Sequence, residues 1–213
     1  MNIEKLEQYF DKHNKSSKVN EAIIYLENSG GDISWQKEYG GKTLDSPMIA
    51  ASITKLFTTT CILVLFQEGK LDLNDKISNY LNRDIIENLH IYKGNDYSNT
   101  LTINNLLHHD SGLPDFYLAG KDSLYNKVIE SDFSYSFENS VKWAKSIPAI
   151  FPPTTKDRAY YSDINFDLLG KIIETVTGLS YREACKNIIF EKLSMEHTFI
   201  ASNETENIPY LYY

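Results

Sequence analysis

Ser52 and Lys55 stand three residues apart in Ser52-Ile53-Thr54-Lys55, at the head of a segment that reads as a helix. On a helix this spacing puts both side chains on one face, about 5–6 Å apart at Cβ. A serine hydroxyl is a weak nucleophile until a neighbouring base takes its proton. A lysine amine serves as that base when its pKa is lowered, as burial beside an apolar helix would do. Unpaired N–H groups at a helix start can also donate to an oxyanion forming on an attacked carbonyl. Losing one such donor costs about 10²–10³ in rate. The pattern points to acyl transfer through a serine ester. The same four residues also fit a serine that merely caps the helix.

A second group with useful chemistry is Tyr161, in Tyr160-Tyr161-Ser162-Asp163, directly before another helical segment. A phenol beside a lysine ammonium can share protons with it and act as general acid or base. The alternative is one structural tyrosine among fifteen, with Ser162 or Asp163 capping the helix.

The elements that would hold these groups follow from pattern. Ile3, Leu6 and Phe10 recur at helical spacing and predict a short amphipathic helix. Residues 21–28 and 33–39 are β-forming runs separated by Ser29-Gly30-Gly31-Asp32, which predicts a β-hairpin. Residues 52–67 predict a helix closed by Gly69, apolar all round in its second half and so expected to be buried on every side. Residues 70–102 carry few strong signals. Short helices are expected over 103–108 and 137–146. Leu168, Leu169, Ile172, Ile173 and Val176 share a face of a helix over 164–176, with Gly178 as its C-cap. Ser180-Tyr181-Arg182-Glu183 is a capping box opening a last helix to about Phe190. A lone hairpin is rarely stable, and no clear further strands follow Tyr39.

Composition excludes several function classes. The 213 residues carry a net charge of −8, so no basic face is available for nucleic acid. Cys61 and Cys185 make no framework or metal pair, and Cys61 lies in an apolar run where it reads as a small buried hydrophobe. His108-His109 is the one histidine cluster, and adjacent helical residues point different ways, so no metal site is expected. Gly40-Gly41-Lys42-Thr43 is not a phosphate loop, because the required first glycine falls on Gln36. No apolar run approaches a membrane span. The N-terminus lacks a basic stretch followed by an apolar one, which predicts a cytoplasmic protein, or an extracytoplasmic one if a leader preceded it.

The stretch 48–58, Met-Ile-Ala-Ala-Ser-Ile-Thr-Lys-Leu-Phe-Thr, resembles the nucleophile motif of the serine β-lactamase-related hydrolases. Leu106-Leu107-His108-His109-Asp110-Ser111-Gly112-Leu113-Pro114 is similar to that family's L-L-x-H-x-S-G-L-P segment, and Tyr161-Ser162-Asp163 with 166–170 to its Y-x-N motif and following helix. Residues 177–181 and 193–198 match weaker landmarks in the same order. The family includes class C β-lactamases, penicillin-binding proteins, D-Ala-D-Ala carboxypeptidases and esterases. The resemblance implies an α+β, β-lactamase/transpeptidase-like fold, with an antiparallel sheet, a mainly helical region and the active site between them. A single domain over 1–213 is expected, with the sheet hairpin at 18–46, the helical region at 47–180, and a helix and return segment toward the sheet at 181–213. Ser52 would be acylated, Lys55 would activate it and Tyr161 would assist proton transfer. Residues 108–114 would be structural. The chemistry needs no metal or cofactor, and the partner would be a small-molecule or peptide acyl substrate.

Two departures bear on this. Asp163 stands where the family has asparagine, at a substrate-binding position. A carboxylate there would raise the pKa of Lys55, and it lacks the amide's donor. An esterase or peptidase of altered preference fits at least as well as a β-lactamase. The family's third motif, K-T-G or H-T-G, is absent; Lys42-Thr43-Leu44 and His197-Thr198-Phe199 are lookalikes without the glycine. The C-terminal strands are therefore expected to be missing, as in a truncated member. The alternative function is a non-catalytic remnant acting as a binding module. Exposed strand edges predict self-association.

Overall fold

The structure is a computed structural model that describes residues 2–15, 19–119, 123–131 and 135–201. The described residues divide into two compact units, one up to Ala50 and one from Ala51 to Ala201.

The first unit holds helix α1 (Ile3–Asn14) and the antiparallel hairpin β1 (Ala22–Glu27) and β2 (Ser34–Tyr39). Its register runs from Ala22 opposite Tyr39 to Glu27 opposite Ser34. Asn28 closes the turn, its side-chain oxygen accepting from the Ile33 N–H at 3.0 Å. Phe10 meets Trp35 edge to face at 6.2 Å, and Lys37 reaches Asp11 at 2.8 Å, so α1 lies against β2.

The second unit is mainly helical. It opens with a 3₁₀ turn (Ala51–Ile53) leading into α2 (Thr54–Gln67), then α3 (Arg83–Ile86). A small antiparallel pair follows, β3 (Ile91–Tyr92) with β4 (Asn95–Asp96), then α4 (Ile103–Leu107) and α5 (Leu124–Glu130). The rest is α6 (Phe137–Lys145), α7 (Asp163–Thr177), α8 (Tyr181–Cys185) and a π-helical turn over Lys186–Phe190. Thr102, Ser136 and Ser180 each close a capping box, and Gly178 ends α7 in the left-handed conformation at φ 69°.

The core forms where α7 packs between α2, α4, α6 and α8. Leu168, Leu169, Ile172 and Ile173 of α7 are fully buried there with Ile62 and Leu65 of α2. The apolar face expected of 164–176 is the buried one. Cys61 and Cys185 are both buried and free, with sulfurs 3.9 Å apart where α2 meets α8. The hydrogen bond to Cys185 and burial push the Cys61 thiol up.

Two expectations change. Helix α2 is not buried on every side, because Leu56 is 65% exposed, Leu63 45% and Phe66 42%. Its buried set is Thr58, Cys61, Ile62 and Leu65, an i, i+3, i+4, i+7 stripe laid over a uniformly apolar sequence. Residues 70–102 are not featureless: Leu71, Ile77, Leu81, Ile86, Leu89 and Leu101 all enter the core from short turns. The expected return segment beyond residue 201 lies outside the described residues, and so does Lys18 at the start of the expected hairpin region. Among the described residues no helix is long and apolar enough to cross a membrane, and no three metal-ligating side chains group together.

Candidate active site

Ser52 lies in the 3₁₀ turn that feeds α2, one residue after Ala51. Ala51 has φ 45°, a left-handed conformation that costs a non-glycine residue about 1–3 kcal/mol and persists only where its surroundings enforce it. The serine does not cap α2. The N-cap is Ile53, which makes no side-chain cap bond, and the Ser52 hydroxyl instead lies 2.8 Å from the Tyr161 hydroxyl.

Lys55 occupies the first turn of α2. Its Nζ donates to Asp163 Oδ1 at 2.7 Å and lies 4.9 Å from the centre of the Tyr161 ring and 5.5 Å from that of Phe166. Burial works to lower the pKa of this ammonium. The Asp163 carboxylate and the Tyr161 hydroxyl more than offset burial, so the net shift is upward from the ordinary lysine value. The four residues Ser52, Lys55, Tyr161 and Asp163, separated by up to 111 positions in sequence, are thus brought into one chain of contacts.

The 109–114 segment positions Tyr161. The His109 ring stacks on the Tyr161 ring, with centroids 4.7 Å apart and planes at 28°. The Tyr160 N–H donates to the His109 carbonyl at 2.8 Å, and the Ser162 N–H donates to His109 Nδ1 at 3.2 Å. The Asn165 amide nitrogen reaches the same Nδ1 at 3.0 Å, while its oxygen accepts from the Ser111 hydroxyl at 2.7 Å. Two donors on Nδ1 assign this imidazole the neutral form with its proton on Nε2. Burial, followed by the Lys55 charge, holds its pKa below the usual histidine value. Ser162 donates its hydroxyl to the Pro114 carbonyl at 2.7 Å, so it closes this clamp rather than capping α7. Gly112 lets the segment approach Phe151: at φ 75°, a Cβ there would stand 2.0 Å from the Phe151 carbonyl oxygen.

A cavity of about 580 Å³ opens beside Ser52. Lys55, Asp163, Asp167 and Glu174 line it, with Tyr117, Tyr135, Phe137 and Phe166 as aromatic walls. Burial pushes the Asp167 carboxyl up to about 6, against a hydrogen bond with Ser140 that works the other way. Sequence reasoning missed two residues here. His109 was visible only as part of a structural motif, and Asp167 reads as an ordinary polar position on an amphipathic helix.

Residues 24–212 match the family model described as Beta-lactamase. The protein named flp from Staphylococcus aureus strain MRSA252 is 31% identical over 195 residues, covering 87% of this chain and 36% of that protein. Two solved structures are similar. A D-stereospecific amidohydrolase from a Streptomyces species is 27% identical, with a TM-score of 0.69, over 83% of this chain and 50% of that one. An octameric penicillin-binding protein homologue from Pyrococcus abyssi is 28% identical, with a TM-score of 0.68, over 92% of this chain and 44% of that one. The chain spans about a third of the length of the staphylococcal relative and half or less of the two solved chains. The fold is the α+β, β-lactamase/transpeptidase-like one that the ordered motifs imply, and the chain belongs to the beta-lactamase family.

Proposed function

We propose that this chain carries the nucleophile, proton-transfer and substrate-pocket residues of a serine hydrolase that forms an acyl-enzyme on Ser52. The observation that carries the reading is the 2.8 Å contact between the Ser52 and Tyr161 hydroxyls, with the Lys55 ammonium against the Tyr161 ring. Family membership and the amidohydrolase and penicillin-binding relatives support an amide, ester or lactam as substrate.

In this reading Tyr161 and Lys55 share one proton, and the reactive form is the phenolate beside the ammonium. The phenolate takes the Ser52 proton as Oγ bonds the acyl carbon, and negative charge moves to the carbonyl oxygen. The C=O then re-forms, the bond to the leaving group breaks, and Tyr161 returns the proton to that group. Water, deprotonated by the same phenolate, releases the acid and restores the serine. Lys55 acts through Tyr161, and Asp163 holds Lys55 charged. One Asp163 oxygen engages Lys55, which leaves the other for a donor on the substrate.

Intact-mass analysis after incubation with a fluorophosphonate or a penicillin tests the reading. An adduct of one probe per chain, absent in Ser52→Ala, is expected. No adduct with any acylating probe would favour a non-catalytic binding module. We also propose that the hairpin edges, unpaired among the described residues, favour pairing between copies of the chain; a strict monomer by light scattering would exclude this.

A further inference from the structure

The cavity beside Ser52 has an uneven charge lining. It contains two lysines and three carboxylates. Lys55 pairs with Asp163 at 2.7 Å, and Lys171 with Glu174 at 3.0 Å. Lys171 stands one turn beyond Asp167 on α7 but is turned to Glu174, whose second oxygen accepts from the Tyr181 N–H at 3.0 Å. Asp167 takes part in none of the ion pairs among the described residues. Its hydrogen-bond partner is the neutral Ser140 hydroxyl.

Among the described residues Asp167 therefore stands without a cation, half-buried in the wall of the cavity. It lies one helical turn from Asp163, on the same face of α7. An ionised carboxylate taken out of water without a cation is costly, and such groups gather at functional sites. Tyr117, Tyr135, Phe137 and Phe166 line the same cavity and offer π-faces to a cation.

We propose that the acyl substrate of this site carries a free primary ammonium group near its reactive carbonyl, as in an aminoacyl amide or ester, and that Asp167 selects it. This rests on the reading of Ser52 as the acylated nucleophile. The substrate ammonium supplies the cation that Asp167 does not find among the described residues and forms a charge-assisted hydrogen bond with the carboxylate. A substrate acylated on that nitrogen has no charge to offer and leaves Asp167 unpaired.

The test separates binding from chemistry. Calorimetric titration of the full 213-residue chain, with Ser52→Ala to block turnover, compares phenylalaninamide with N-acetylphenylalaninamide. The free amine is expected to bind about tenfold or more tightly than the acetylated one. Asp167→Asn should abolish the preference, and Asp167→Glu should keep part of it. Equal affinities, no measurable binding of the amine, or a preference that survives Asp167→Asn would overturn the proposal. If Asp167→Asn does not fold, the two-ligand comparison in the Ser52→Ala chain decides alone. Acylation of wild-type chain by phenylalanine and N-acetylphenylalanine p-nitrophenyl esters is followed separately by intact mass. A retained amine preference without any Ser52 adduct would sink the nucleophile reading and leave Asp167 standing. Equal acylation by both esters would do the reverse.

Discussion

Lys55 and Asp163 lie 108 residues apart in sequence and meet at 2.7 Å. That contact sets the charge state of the site. Burial alone would move the lysine toward a neutral amine, and the carboxylate reverses the direction. In the proposed chemistry the proton acceptor for Ser52 is the tyrosine oxygen that the serine touches, with the lysine ammonium against that ring supplying a positive field.

Asp163→Asn restores the family's residue and removes the main influence that raises Lys55. The lysine pKa is expected to fall, because burial remains while the opposing carboxylate is gone. The basic limb of the Ser52 acylation profile should move to lower pH. Acylation rates from pH 5 to 10, read by intact mass, would show this; an unchanged profile would mean that Lys55 does not govern the step.

Tyr161→Phe removes the one side-chain partner that the Ser52 hydroxyl has among the described residues and keeps the ring that stacks on His109. Acylation is expected to drop by about 10²–10⁴, the usual contribution of a positioned acid or base. Because the ring is half exposed and its stacking is kept, thermal stability should stay close to wild type. A rate within threefold of wild type, by stopped-flow or quenched mass analysis, would place the base elsewhere.

Asp167 links the cavity to stability. Its carboxyl rises from an ordinary 3.8 to about 6 in the fold, so the native state binds that proton more tightly than the unfolded chain does. Stability from this group is thus present at low pH, falls as pH rises between about 4 and 6, and stays lower above that. Asp167→Asn should be more stable than wild type at pH 7.5, by up to about 3 kcal/mol, and show no such gain at pH 4. Urea midpoints at the two pH values provide the comparison. A variant less stable than wild type at pH 7.5 would mean that the Ser140 contact outweighs burial.

Gly112→Ala places a Cβ against the Phe151 carbonyl in a backbone conformation unfavourable to alanine. A loss of about 2 kcal/mol or more is expected, with weaker acylation, because the same loop carries the clamp on Tyr161. Urea unfolding with circular dichroism checks the first effect and probe labelling the second.

How much of this was legible depended on whether a residue's role is local. Helix α7 was readable because its buried leucines and isoleucines repeat at the helical period and Gly178 stops it. The hairpin was readable from two β-forming runs around a glycine turn. Residues 70–102 were not, because Leu71, Ile77, Leu81 and Leu101 each anchor a separate turn and share no period. Helix α2 gave a wrong burial because a uniformly apolar sequence has no polar face to mark the exposed side. In the site, Ser52, Lys55 and Tyr161 emerged through spacing and ordered motifs. Asp167 did not, since its character comes from being enclosed by Ser140, Tyr135 and Phe137, which lie far from it in the chain. The approach of Cys61 to Cys185 was invisible for the same reason.

Helix α7 carries Asp163 against Lys55, Asn165 in the loop clamp, Phe166 beside the ammonium, Asp167 in the cavity and Leu168 and Leu169 in the core. These duties are laid out in seven consecutive residues, so they share a single angular phase. An α-helix turns about 100° per residue, so inserting or deleting one residue between Ser162 and Asp167 would rotate every later group out of its place together. Substitutions here can be accepted one at a time, because a change of side chain leaves that phase intact. Length changes cannot. Drift in this segment should therefore appear among homologous chains as exchanges of residue type at constant spacing, and engineered insertions tolerated in the loop at Lys93-Gly94 should fail here.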